Sequence, residues 1–227
     1  MANFDIPLEG ILEVNVGAMI IEHYFAFSAE IYKELGECYP ALCELFILEN
    51  KDDFLAVAST VSLEKEVFES LVISKQTDNA FKERIIKNHG VNLMSKAVAE
   101  QICSMNLSIS KDVFDAAWDI LDVSKKKTLM MGYLDILNAK DFEMCFASIG
   151  KTYQELTDRS RRHNVTIPDS EEHRKLARRL LQVDYITSYD DAGSIKEYDR
   201  TSRKMVDQPA ILCRVKSVSN SKASEKK

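Results

Sequence analysis

Seven cations, Arg159, Arg161, Arg162, Arg174, Lys175, Arg178 and Arg179, fall within 21 residues and form the strongest candidate for a contact surface in this chain. A cluster of that kind can neutralise phosphates, and each such contact makes binding weaker as salt rises. The same stretch also carries Asp158, Asp169, Glu171, Glu172 and Asp184, which dilute its field. A solvated or internally paired face is therefore the favoured reading, with a docking surface for nucleic acid or an acidic partner as the sharper one.

Other residue types that could do chemistry are placed where structure alone explains them. Of the four His, His23 lies on an apolar helical face, and His89 precedes Gly90, where a helix end would favour a cation. His163 and His173 sit in the basic stretch, ten residues apart with no neighbouring Cys. The five Cys (Cys38, Cys43, Cys103, Cys145 and Cys213) are odd in number and scattered, so neither a disulfide framework nor a zinc site is indicated. No spacing proposes a Cys/His nucleophile pair. The acidic pairs Asp52/Asp53 and Asp190/Asp191 fall at expected caps and turns. Nothing matches GxxxxGK[ST] or GxGxxG, so a nucleotide is not an expected ligand. The expectation is a chain with no catalytic residue, no cofactor and no metal.

The elements that must position the cations are legible at the C-terminal end. Asp169 as N-cap with Glu172 three residues on makes a capping box, and Leu176, Leu180 and Val183 then share one face of a helix. After Asp184 the period drops towards two, with Tyr185, Thr187 and Tyr189 on one side of a strand. The sequence Asp190-Asp191-Ala192-Gly193-Ser194 predicts a hairpin turn, with Ile195 to Tyr198 as the returning strand. Helix followed by hairpin is a winged-helix-like ending, and equally a plain lid on helices. Met205 to Val215, with Pro209, fits either an edge strand or a surface segment, and the end from about Lys216 has the composition of a poorly ordered tail.

Upstream the chain reads as a train of helices. Ile11 to Val14 is strand-like, and Asn15 caps a helix running to Leu35. Pro40 suits the first turn of the next helix, which closes near Asn50. Further starts are marked at Ser62, Asp78, Asn92, Ser110, Ser124 and Asn138, with stops at Gly90 and Gly150. The stretches VFESL at Val67 and VFDAA at Val113 lie 46 residues apart, an echo of HEAT-like length.

Composition agrees. In 227 residues there are only seven Gly and four Pro, and 45% of side chains are apolar, which favours long helices with a filled core. The net charge of −6 hides a polarity: residues 1–124 hold 9 Lys+Arg against 21 Asp+Glu, and residues 125–227 hold 21 against 15. An acidic front and a basic back can attract each other, another copy or separate partners. The first ten residues lack a basic segment leading into an apolar run, and Glu13, Asn15, Glu22 and His23 interrupt the most apolar window. With the unpaired Cys, this fits a cytoplasmic protein with no membrane span.

The segments GILEVN, ALCELFILENKDDFL, LVISKQTDNAFKERIIKN, LDILNAKDFEMCFASIG with YQEL, and EEHRKLARRLLQVDYITSYDDAGSIKEYDR together resemble the C-terminal region of the large bacterial YobI-like P-loop NTPases. The resemblance covers most of residues 8–200. It implies an α-helical region ending in a helix and a short hairpin. The NTPase and membrane-associated parts of that family have no counterpart here, so no Walker residue carries over and no ATPase activity is implied. What is implied is a fragment, a split gene product or an excised module that senses or interacts beside an NTPase chain.

The expected architecture is mostly α: stacked helical hairpins, HEAT-like or irregular, over residues 1–158, a basic helix plus β-hairpin unit over 159–205, and a poorly ordered tail over 206–227. The expected function is non-catalytic protein interaction, with a P-loop NTPase chain or another copy as partner. The alternative is a winged-helix nucleic-acid binder using Arg174 to Arg179 and the hairpin.

Overall fold

The computed structural model describes residues 29–38, 42–199, 201 and 203–218, and the side chains of Cys38, Thr152, Glu197 and Asp199 are outside that description. The expectations for Ile11 to Val14, for the Asn15 cap, for Pro40 and for residues 219–227 lie outside the described residues. The chain is mostly helical with one small three-stranded antiparallel sheet near its C-terminal end. It divides between Leu121 and Asp122 into two compact units.

The first unit contains α1 (Ala29–Cys38), α2 (Cys43–Glu49), α3 (Lys51–Val57), α4 (Lys65–Ile73), α5 (Asn79–Leu93), α6 (Lys96–Met105) and α7 (Lys111–Ile120). Each of α2 to α7 buries an apolar stripe: Phe46 and Ile47, Phe54, Phe68 with Leu71, Phe81 with Ile85 and Ile86, Val98 with Ile102, and Val113 with Phe114. Fully burying one such side chain stabilises the fold by about 1.5–3 kcal/mol, so these stripes dominate the unit. The marked N-caps at Asp78 and Ser110 are used, their side chains accepting from the amides of Phe81 at 2.8 Å and Val113 at 3.4 Å.

Other marks shift. Gly90 does not stop its helix: α5 runs on to Leu93, and Asn92 lies inside it rather than capping the next. The cap of α6 is Ser95, which accepts from the Val98 amide at 3.2 Å. Gly90 is buried because α5 packs closely on α7 there, and a Cβ would lie 3.1 Å from Ile86 Cγ2 and 3.4 Å from Val113 Cγ2. The glycine makes room for a neighbour and does not break a helix. Likewise Asp52 and Asp53 begin α3, and the apolar run after them is helical.

The second unit opens with α8 (Val123–Gly132), capped by Asp122 and not by Ser124. A 3-10 turn (Leu134–Ile136), α9 (Ala139–Ser148) capped by Asn138, a second 3-10 turn (Gly150–Tyr153) and α10 (Gln154–Thr157) follow. Then come β1 (His163–Pro168), α11 (Glu171–Gln182), β2 (Ile186–Asp199) and β3 (Lys204–Val215), with strand order β1-β3-β2 and all pairings antiparallel. Val165 pairs with Cys213 and Ile167 with Ile211, and all four are buried, as are Leu176, Ala177 and Leu180 of α11. One face of the inner sheet is therefore core, the usual antiparallel arrangement.

Further expectations are corrected in this unit. The cap of α11 is Ser170, which accepts from the His173 amide at 3.2 Å; Asp169 instead forms a two-pronged ion pair with Arg174. The segment Asp190 to Ser194 is not a turn, because β2 runs straight through it with a bulge between Asp191 and Gly193. The chain reverses only after Asp199, and Ile195 to Tyr198 continue β2 outward. Residues 206–215, expected as part of a poorly ordered tail or as an edge strand or surface segment, belong to the middle strand, and residues 163–168, for which no strand was expected, form β1.

Candidate interaction surface

The seven cations do not form one free surface. Arg159 donates to the carbonyls of Lys216 at 3.3 Å and Asp184 at 2.9 Å, and its guanidinium lies 4.6 Å from the centre of the Tyr185 ring. Arg174 is held by Asp169, whose carboxyl that contact lowers below the usual carboxylate range. Lys175 reaches Asp135 at 3.2 Å and Glu171 at 3.9 Å. Arg179 donates to Gln182 Oε1 and to the Leu134 carbonyl, both at 3.0 Å. Four of the seven thus serve the unit's own architecture. Arg161, Arg162 and Arg178 are the exceptions: exposed or nearly so, with no hydrogen bond or ion pair from their side chains among the described residues.

The sheet offers a different surface, which the sequence reading missed. Strand β1 ends at Pro168, opposite Ala210, whereas β2 and β3 continue their pairing outward to Asp199 and Lys204. From Ser194 and Pro209 to the turn the sheet is therefore a two-stranded ribbon. On one of its faces Ser194 pairs with Pro209, Lys196 with Asp207, and Tyr198 with Met205. Tyr198 and Met205 are 56% and 57% exposed although they stand directly opposite each other. Cross-strand pairs of this kind support each other modestly, by about 0.2–1 kcal/mol, which does not offset two apolar side chains left in water.

Among the described residues the outer edge of β3 is also uncovered beyond β1. The Asp169 amide donates to the Pro209 carbonyl at 2.7 Å, extending the β1 register by one residue. In an antiparallel ladder a residue's N–H and C=O point to the same side, and alternate residues share that side. The backbone groups of Met205 and Asp207 therefore face outward along the edge that β1 leaves uncovered. Pro209 is tolerated in a middle strand because the N–H it lacks would point towards Asp169, one residue past the end of β1, and not into the β2 ladder.

Titratable groups elsewhere are spread out. Burial pushes the Cys213 thiol up to about 11 and the Tyr153 hydroxyl up to about 12, and it lowers Lys82, whose ammonium lies 3.7 Å from Met105 Sδ. An open hollow of about 580 Å³ in the first unit is lined by Glu44, Lys65, Glu66, Glu69, Ser70, Ile73 and Ser74. Among the described residues no group of three or more His, Cys, Asp or Glu could hold a metal ion, and no helix is long and apolar enough to cross a membrane. Comparison with protein-family models, with curated proteins and with solved structures finds no match to this chain.

Proposed function

We propose that this protein is a non-catalytic interaction module whose contact element is the outer β2–β3 ribbon. One observation carries the reading: Tyr198 and Met205 are paired across two strands that no third strand or helix covers among the described residues. A two-stranded ribbon is marginal in water by itself, and an exposed apolar pair beside an open strand edge is what a partner strand would cover. The resemblance to YobI-like C-terminal regions makes a P-loop NTPase chain a partner class to examine, with this chain supplying contact and not ATP hydrolysis. A photoreactive phenylalanine analogue at position 198, used in cells, is expected to form an adduct with a defined polypeptide, and Met205→Lys is expected to abolish it. The same probe at exposed Lys151 serves as the control. Adducts no stronger at 198 than at 151 would sink this reading.

The nucleic-acid alternative draws on α11 leading into a long hairpin and on the uncommitted Arg161, Arg162 and Arg178. Strand β1 stands immediately before α11, where a helix-turn-helix requires another helix, which disfavours it. The expected result is no retention on DNA or RNA at low salt. Salt-sensitive retention lost in an Arg161→Ala, Arg162→Ala, Arg178→Ala triple variant would instead favour the alternative.

A further inference from the structure

We propose that Met105 is an oxidation site, taken to its sulfoxide by hydrogen peroxide, and that Lys82 and Gln101 hold the new oxygen and tighten the tie between α5 and α6. Lys82 is 3% exposed, the one buried charged side chain among the described residues. Its ammonium has a single partner there, the thioether Sδ of Met105 at 3.7 Å, which reaches from α5 to the last residue of α6. No carboxylate pairs with it, and burial lowers its pKa. The Gln101 amide turns its Nε2 to the same sulfur, at 2.8 Å. Two N–H donors, one of them charged, thus converge on an atom that is only a weak acceptor. A buried ammonium held so poorly is costly, and an oxygen acceptor at that place would satisfy it.

Oxidation supplies that oxygen. The Sδ lone pair attacks one peroxide oxygen, the O–O bond breaks as the S–O bond forms, and the proton on the transferred oxygen passes to the leaving hydroxide, which departs as water. Sulfur loses two electrons and peroxide gains them. Met105 is half-buried, so peroxide can reach it. The distance from Lys82 to Sδ exceeds that of an N–H···O bond, which leaves an oxygen on the sulfur within hydrogen-bond reach of the ammonium. A methionine sulfoxide ordinarily loosens a fold, because it sets a polar S–O group in apolar surroundings. Here the surroundings are inverted, since the charged donor is already in place and lacks its acceptor. The Ser108 amide, just beyond α6, donates to Glu83 Oε1 of α5 at 2.7 Å, so the new bond would add to an existing tie between the same segments. The sulfoxide is also the rung of sulfur oxidation that sulfoxide reductases reverse. The site lies wholly in the first unit and is independent of the ribbon.

The test uses the full chain. After exposure to hydrogen peroxide, peptide mapping is expected to find Met105 oxidised alongside the more exposed Met144 and Met205, and hydrogen-exchange protection of α5 and α6 is expected to stand about tenfold above that of the untreated chain. Met105→Leu, treated alike, should show no rise, which separates the effect from oxidation of the other methionines. In Lys82→Met, which replaces the buried ammonium by an apolar chain of similar volume, oxidation should lower protection. A second route needs no oxidant: Met105→Gln puts an amide oxygen beside the ammonium and should raise protection when Lys82 is present and not in Lys82→Met. Met105 left as a thioether when Met144 and Met205 are fully oxidised, protection of α5 and α6 unchanged or lowered in the oxidised wild type, or a gain of the same size in Lys82→Met would each overturn the proposal.

Discussion

The Nε2 of His163 lies 2.7 Å from the carbonyl oxygen of Glu155, and its Nδ1 lies 3.0 Å from the carbonyl oxygen of Arg161. A carbonyl can only accept, so both contacts are hydrogen bonds only when both ring nitrogens carry hydrogen, which is the charged imidazolium. The two carbonyls, that of Arg161 first, therefore raise the pKa of His163 above its ordinary value. A raised folded-state pKa stabilises the fold fully below the unfolded value of about 6.5 and ceases to do so as pH rises through the folded pKa. Protection factors at β1 and α10, corrected for the intrinsic pH dependence of exchange, should thus fall as pH rises from about 6.5 through the folded pKa. His163→Gln, which cannot take up charge, should flatten that dependence, and an unchanged profile in the variant would remove His163 as its cause.

His89 in the first unit should respond in the opposite sense. Burial lowers its pKa, a hydrogen bond to the Ala58 backbone offsets only part of that, and its Nε2 is buried with no partner among the described residues. Protonation would place a charge there beside the Phe68 ring, 6.4 Å away between centres and steeply inclined to the imidazole. With the folded pKa below the unfolded one, the unfolded chain takes up the proton first as pH falls, so stability is lost below about pH 6.5. Protection factors of α5 amides, corrected for the intrinsic pH dependence of exchange, should be lower at about pH 5.5 than at about pH 7.5, the reverse of β1. His89→Gln keeps a donor for Ala58 and should abolish the acid sensitivity.

Gly90→Ala tests whether the close approach of α5 and α7 is tight. A helical Gly replaced by Ala would ordinarily gain about 1 kcal/mol. Here the new methyl would press on Ile86 and Val113, both fully buried, and overpacking costs about 1–3 kcal/mol. The expected net effect is destabilisation by about 1 kcal/mol in urea unfolding, partly relieved when Val113→Ala is added. Additive losses in the double variant would show that the two sites do not press on each other.

What the sequence disclosed, and what it hid, divides by range of interaction. Asp78, Ser110 and Asn138 were legible as caps because a cap needs only its own next three residues. Ser170 was missed by one position because Asp169 presents an equally good oxygen, and only the Arg174 ion pair diverts it. Gly193 has φ +79, which suits a hairpin turn and a β-bulge alike. The choice depends on Ile211 and Ala210 across the sheet, which local sequence does not contain. Strand β1 is six residues long and pairs with residues some fifty positions later, so neither it nor the free ribbon beyond it could be read from periodicity. The basic cluster was visible as a composition, but its division into four engaged and three uncommitted cations depends on Asp135, Leu134, Asp184 and Lys216, all distant in sequence.

That division makes a direct prediction for two neighbours of the same type. Arg179 anchors α11 to the preceding turn through the Leu134 carbonyl, while Arg178, one residue earlier, points to solvent. Hydrogen bonds from a charged donor contribute about 1.5–3 kcal/mol, and truncation also leaves the part-buried Leu134 acceptor without that donor. Arg179→Ala should therefore destabilise the second unit by about 1–2 kcal/mol, with Arg159→Ala comparable because it releases two carbonyls and the Tyr185 ring. Arg178→Ala should change stability by less than about 0.5 kcal/mol, as surface substitutions without partners do. Urea unfolding of the three variants decides it: equal effects at 178 and 179 would mean that the cations act through the overall field, in which case high salt should erase both losses, whereas the Leu134 bond should survive it.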